Sequence, residues 1–262
     1  MIQFLKESTF AVNEVLSNSI HILKGHYFSI GGLLLSIFLL FVVAHELTFY
    51  LEMSSILIKI PLMLLFAVTL LGLQLFLFKY ILNLLDHKEH VGVVKTWPSW
   101  SELFIFLGGI VLFTLASLLI LVVAMIVCFP LIYMGIDTEV VSFEIVPNVA
   151  AILSFFILLR ISFFPFFIID KGTNVTKSLR WSLAITKGNV VRLFLILLSL
   201  TFVSVLNIYW VYMEYSIMAI IFSLINSFLI IPLTSVVYTV AYRDMVQEYK
   251  GSEDPSILSN IF

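Results

Sequence analysis

The sequence predicts an all-α, polytopic membrane protein: six transmembrane helices in one bundle, with two short amphipathic helices on one side of it. Three observations lead there. Hydrophobic residues fill 61% of the 262 positions and charged residues only 11%, against about 45–50% and 25% in a soluble domain. Apolar runs long enough to cross the hydrocarbon, about 20 residues each, recur along the chain. Runs such as GGLLLSIFLLFVVA do not alternate, so they lack the ten-residue period of a membrane β-barrel and must satisfy their backbone as helices.

The chain opens MIQFLKESTF, without a strongly basic start. Its first long apolar run begins at Phe28 and lacks a small-residue cleavage pattern, so it reads as a retained span and not a signal peptide. The spans are expected at about Tyr27–Ala44, Ile56–Tyr80, Leu103–Phe129, Val146–Ile169, Val190–Tyr209 and Ile217–Tyr242. They form a single transmembrane unit over residues 1–262. Ahead of span three, Ser99 and Glu102 in WPSWSELF make a capping-box pattern, with Trp97 and Trp100 as interfacial anchors. Between spans four and five lies SLRWSLAITKGNVVRL. On a helical wheel Val175, Leu179, Leu183 and Ile185 share a broad face with Ser178, Ser182 and Thr186, and Trp181 sits at its edge. Lys177, Arg180 and Lys187 crowd the opposite arc. Such a helix suits the inner headgroup layer, cations toward anionic lipid, or a connector packed on the bundle; the two are compatible. Gly188 supplies the left-handed residue that ends it.

Basic residues give the orientation. Lys6 and Lys24 precede span one, and Lys88 and Lys95 separate spans two and three. Lys171, Lys177, Arg180 and Lys187 separate spans four and five, Arg192 opens span five, and Arg243 and Lys250 follow span six. The other connections carry Glu46, Glu52, Asp137, Glu139, Glu144 and Glu214 without Lys or Arg. Lys59, just inside span two, can snorkel to that acidic side. The positive-inside rule makes both termini cytoplasmic.

The short helix has a counterpart. Shifting the sequence by 163 residues lays NEVLSNSIHILKGHYF, Asn13 to Phe28, on TKSLRWSLAITKGNVV, Thr176 to Val191. Leu16 meets Leu179, Ser19 meets Ser182, Ile22 meets Ile185, and Lys24-Gly25 meets Lys187-Gly188; Val12 matches Val175. Both lead into an outward span and a returning one. A parallel internal repeat is expected, with units at about 9–80 and 172–249 and spans three and four, 103–169, between them.

These residues carry a family resemblance. The run LRISFFPFFIIDKGTNVTKSLRWSLAITKGNVVRLFLILL resembles the signature of a bacterial six-span inner-membrane family. That family includes the YciC-type proteins and the membrane domain attached to some glycerophosphoryl diester phosphodiesterases. Its pattern is an Arg in span four, a Pro, an acidic residue at the membrane exit, a Ser-rich amphipathic helix, and a Thr/Lys-Gly turn into a new span. Here those positions read Arg160, Pro165, Asp170, Ser178, Ser182, Thr186, Lys187 and Gly188. The ending VVYTVAYRDMVQEY, Val236 to Tyr249, is similar to the family's last span and its tyrosine-bearing exit. The likeness is strongest over about Ser154–Leu198. It implies the bacterial cytoplasmic (inner) membrane. An attached phosphodiesterase would be a separate soluble domain, which the tail GSEDPSILSNIF is too short to contain, so that activity is not carried over.

Little else in the chain looks catalytic. Asp86-His87-Lys88-Glu89-His90 brings two imidazoles and two carboxylates into one loop, but the HExxH spacing is absent and a solvated charge run after a helix end is the ordinary reading. No GxSxG, P-loop, Ser–Lys or paired-aspartate pattern occurs. The expectation is a non-enzyme with no cofactor and no metal. A net charge of −2 argues against nucleic-acid binding, and the single Cys128 leaves no disulfide or cysteine zinc site. Arg160 stands apart. It lies ten residues before Asp170, about 15 Å along a helix and so about half the hydrocarbon thickness, where an Arg costs about 2.5–3.5 kcal/mol. Its expected partners are neutral: Gln74, Asn207, Asn226, carbonyls freed near Pro165 and Pro232, or a lipid phosphate. Two functional readings follow. One is a membrane protein that binds anionic lipid or organises a protein partner or a homo-oligomer, through Arg160, Lys177, Arg180 and Lys187. The other is a small transporter or channel for an anionic solute, with Arg160 lining the path.

Overall fold

The structure, a computed structural model, describes residues 2–50, 56–86 and 96–249, with side chains of the first segment given from 12 to 48. The Lys6 side chain, Glu52, the run His87-Lys88-Glu89-His90, Lys95, Lys250 and the tail after it lie outside the described residues. Among those residues every regular element is helical. The long helices are α1 (Ile2–Tyr50), α2 (Ile56–Leu85) and α3 (Trp100–Cys128), followed by the short α4 (Pro130–Tyr133) and α5 (Thr138–Val140). Then come α6 (Val146–Ile161), α7 (Phe164–Lys171), α8 (Val175–Ile185), α9 (Val190–Tyr212), α10 (Ser216–Ile225) and α11 (Ile231–Glu248). Among the described residues six stretches are long and apolar enough to cross a membrane: Val12–Thr48, Ile56–Leu85, Trp100–Tyr133, Thr138–Lys171, Val190–Tyr212 and Ser216–Glu248. Each contains or matches one of the six expected spans, and several run further.

Prolines punctuate these helices. A proline lacks the N–H that would bond the carbonyl four residues back. Ahead of Pro147 and Pro232 the helix widens into π-helical turns, Val141–Ile145 and Asn226–Ile230. The carbonyl that Pro232 cannot serve belongs to Phe228, and it accepts the Tyr27 hydroxyl at 2.8 Å. Ahead of Pro165 the helix breaks outright at Ser162–Phe163, dividing span four into α6 and α7.

The core is concentrated at one end, called here the α8 end. Phe163, Phe166 and Phe167 are fully buried there with Tyr242 and Ile185. Phe166 and Tyr242 stack at 5.0 Å between centroids, and Phe167 meets Tyr242 edge-on at 5.2 Å. Close approach of α3 depends on Gly109, where a Cβ would collide with the Phe164 ring. Toward the other end, the α4 end, a separate small cluster of Ala124, Cys128, Val141, Val146 and Ala150 holds α3 to the start of span four.

The two segments that the sequence superimposes end differently. Gly188 has φ +89° and closes the turn after α8, as expected. Gly25 has no such angle; α1 runs on through it and bends at His26 (φ −125°, ψ 22°). The difference has a local cause. Thr186 anchors the end of α8 through its hydroxyl, which donates to the Ser182 carbonyl at 2.8 Å. Its counterpart Leu23 has no hydroxyl with which to do so.

Candidate functional site around Arg160 and the basic helix

Helix α8 is built to mend the break in span four. Ser178, Ser182 and Thr186 recur every four residues, so they share a face, and all three are fully buried. The Ser182 hydroxyl donates to the Arg160 carbonyl at 2.8 Å and accepts from the Phe163 N–H at 3.2 Å. Thr186 Oγ1 lies 3.2 Å from the same carbonyl. One turn back, the Ser178 and Thr173 hydroxyls are 2.6 Å apart, and Thr173 donates to the Phe167 carbonyl at 3.1 Å. Backbone groups stranded by the break thus find hydroxyl partners, as buried polar groups require. Ser178, Ser182, Trp181 and Ile185 therefore face protein, the arrangement of a connector packed on the bundle. Lys177, Arg180 and Lys187 are exposed on the remaining arc. In α1, Ser19 is fully buried and donates to its own helix at the Val15 carbonyl, 2.7 Å away, while Lys24 and Gly25 are exposed.

Arg160 reaches this helix. Its Nη2 donates to the Leu183 carbonyl at 3.1 Å, and its Nε is enclosed without a partner. The neutral partner expected from the sequence is therefore a carbonyl, but of α8. Neither proline frees it, and Asn226 is engaged with Ser204 at 2.9 Å. The path from Arg160 to Asp170 is not one straight helix. Between them the helix is broken, and Phe164, Pro165, Phe166, Phe167, Ile168 and Ile169 are all buried within the chain. That stretch is enclosed by protein. Large exposed apolar side chains of span four, such as Phe143, Ile152 and Leu158, all precede Arg160.

The motif acid Asp170 has a partner that sequence reasoning missed. Arg243 of α11 grips it with two bonds, Nη1 to Oδ2 at 3.0 Å and Nη2 to Oδ1 at 3.1 Å. The same Nη2 reaches Asp86 at the end of α2 at 2.7 Å, and the Tyr242 hydroxyl donates to Asp170 at 3.0 Å. Buried Arg192 pairs with Glu248 at 2.9 Å and Asp244 at 3.5 Å. Lys79 pairs with Glu102 at 3.0 Å. Glu102 also completes the expected capping box, accepting from the Ser99 N–H while the Ser99 hydroxyl accepts from the Glu102 N–H at 3.2 Å. Only the capping box had a local signal, because its members are three residues apart. Among the described residues Lys177, Arg180 and Lys187 have no ion-pair partner, and no group of three or more His, Cys, Asp or Glu is placed to hold a metal.

No family model, curated protein or solved structure matches the chain.

Proposed function

We propose that the chain is a non-enzymatic integral protein of a bacterial inner membrane, of the YciC-like six-span kind, with both termini in the cytoplasm. In this reading its basic helix holds anionic lipid headgroups. One contrast carries the proposal. At the α8 end Lys79, Arg192 and Arg243 are all ion-paired to carboxylates, whereas Lys177, Arg180 and Lys187 are exposed without a carboxylate among the described residues. Cations kept away from internal acids are free for external anions, and each one near an anionic surface contributes about 1 kcal/mol. Arg160 joins them through Leu183. From Glu144 to Arg160 is sixteen residues, about 24 Å of helix. With Glu144 at the outer headgroups, Arg160 comes close to the inner ones, within a lipid phosphate's reach. The repeat has a part in this reading: Ser19 and Ser182 hold matching buried positions, and Lys24 and Lys187 matching exposed ones.

Packing where span four meets α9 and α11, beside the break, weighs against the alternative of an anion path there. The space enclosed by Leu159, Ser162, Phe163, Leu193 and Tyr238 is about 10 Å³, at the lower limit for one water.

The test is native mass spectrometry of protein released from bilayers of phosphatidylethanolamine and phosphatidylglycerol. Wild type is expected to retain phosphatidylglycerol, and the variant carrying Lys177→Gln, Arg180→Gln and Lys187→Gln to lose most of it. Equal retention by both would overturn the proposal.

A further inference from the structure

We infer, resting on the lipid reading above, that α8 takes a lipid whose headgroup carries two phosphates, one held at each end of its basic arc. The arc offers two pairs of cations. Lys177 and Arg180 are exposed and three residues apart, hence neighbours on the helix surface. The second pair forms where α8 closes. There the last turn tightens: the Lys187 N–H bonds the Ala184 carbonyl at 3.2 Å, leaving the Leu183 carbonyl without the backbone partner that a continuing α-helix would supply. Arg160 Nη2 takes that place at 3.1 Å. A helix carbonyl points along the axis toward the residue four further on, here Lys187. Guanidinium and ammonium therefore share one corner.

Both pairs are open to an anion. Arg160 spends Nη2 on the cap, but its Nη1 makes no hydrogen bond among the described residues and, unlike Nε, is not enclosed. From Lys171 to Arg192 the chain holds no acidic residue, and none of the four cations has a carboxylate partner among the described residues. Spacing sets the number of phosphates. Arg180 and Lys187 are seven residues apart, about 10 Å along the helix. Their side chains both lean toward the N-terminus of α8, in parallel, so they do not close on one phosphate. Each pair instead suits its own, an Arg supplying planar donors and a Lys a point charge. Two phosphates on one ligand outdo two separate lipids, because holding the first presents the second at high effective concentration. A lipid in which two phosphodiesters share one glycerol has this form, whereas phosphatidylglycerol satisfies one pair.

The experiment is native mass spectrometry of the full chain released from phosphatidylethanolamine bilayers that hold phosphatidylglycerol and diphosphatidylglycerol at equal phosphate. Wild type is expected to keep one diphosphatidylglycerol per chain, favoured about tenfold or more over phosphatidylglycerol. Lys177→Gln with Arg180→Gln, or Lys187→Gln alone, weakens one pair and should cut that preference to about twofold or less while phosphatidylglycerol is still kept. Lys171→Gln, which removes an exposed cation outside the arc, should leave the preference intact. Equal retention of the two lipids by wild type would overturn the two-phosphate site and leave the lipid reading standing; retention of neither would overturn both. A preference that survives both end variants, or that Lys171→Gln lowers as far as they do, would also overturn the two-phosphate site.

Discussion

A serine hydroxyl carries one proton and two lone pairs, and Ser182 uses the proton on the Arg160 carbonyl and a lone pair on the Phe163 N–H. Both partners are backbone groups at a helix break, enclosed by protein. Removing the hydroxyl strands the Phe163 N–H and leaves the Arg160 carbonyl with the Thr186 hydroxyl alone, 3.2 Å away, at about 1–3 kcal/mol for the buried group left unsatisfied. Ser182→Ala is therefore expected to lower the detergent unfolding midpoint clearly. Ser36→Ala removes a hydroxyl that bonds only its own helix at the Gly32 carbonyl and is exposed, so it should change stability by less than about 0.5 kcal/mol. Equal, small effects in the two variants would mean that the break is not held by α8. The sequence exposes Ser182 through its spacing with Ser178 and Thr186. It could not expose the acceptor, because a backbone carbonyl has no residue identity to read. For the same reason the Leu183 carbonyl was invisible as the partner of Arg160.

At the scale of the element, hydropathy and proline explain most of what was legible. Apolar runs located all six long helices, the Ser99–Glu102 capping box marked the start of α3, and Gly188 marked the end of α8. A helical wheel gives the phase of the α8 face but not what covers that face, so lipid and protein stayed open until packing decided for Ser178 and Ser182. Ion pairs were illegible for another reason. Arg243 and Asp86 are 157 residues apart and Arg192 and Glu248 are 56 apart, and only the bundle brings them together. Contact between α3 and α7 is also long-range, and it rests on a missing side chain. A Cβ at Gly109 would strike the Phe164 ring, whereas one at Gly31 would meet nothing within 4 Å. Gly109→Ala should cost about 1–3 kcal/mol, as overpacking does, and Gly31→Ala should be neutral or mildly stabilising within a helix. Adding Phe164→Leu to Gly109→Ala should recover part of the loss, since it removes the opposing ring. Chemical unfolding of the four proteins side by side checks this, and a Gly109→Ala variant as stable as wild type would refute the close contact.

For the whole molecule, the main asymmetry is electrostatic. Arg243 links α2, α7 and α11 through Asp86 and Asp170, Arg192 links α9 to α11, and Lys79 links α2 to α3. All of these long-range pairs lie toward the α8 end. Toward the α4 end, the contact of this kind among the described residues is the exposed one of neighbours His45 and Glu46 at 3.8 Å, within one helix. The helices are stapled at one end and lean on apolar contact at the other. Such an arrangement suits a bilayer whose headgroups and water meet the stapled end, because buried ion pairs need firm partners and hydrogen bonds. Which headgroups those are is a matter of orientation. In the proposed orientation, which follows the positive-inside rule, Lys177, Arg180 and Lys187 lie in the cytoplasm and Asp137, Glu139 and Glu144 outside. In a Cys128→Ala background, Glu139→Cys should react with an impermeant maleimide added to intact cells. Lys177→Cys should react only after the inner membrane is opened. The reverse pattern would turn the basic helix toward the outer leaflet and remove the cytoplasmic lipid proposal.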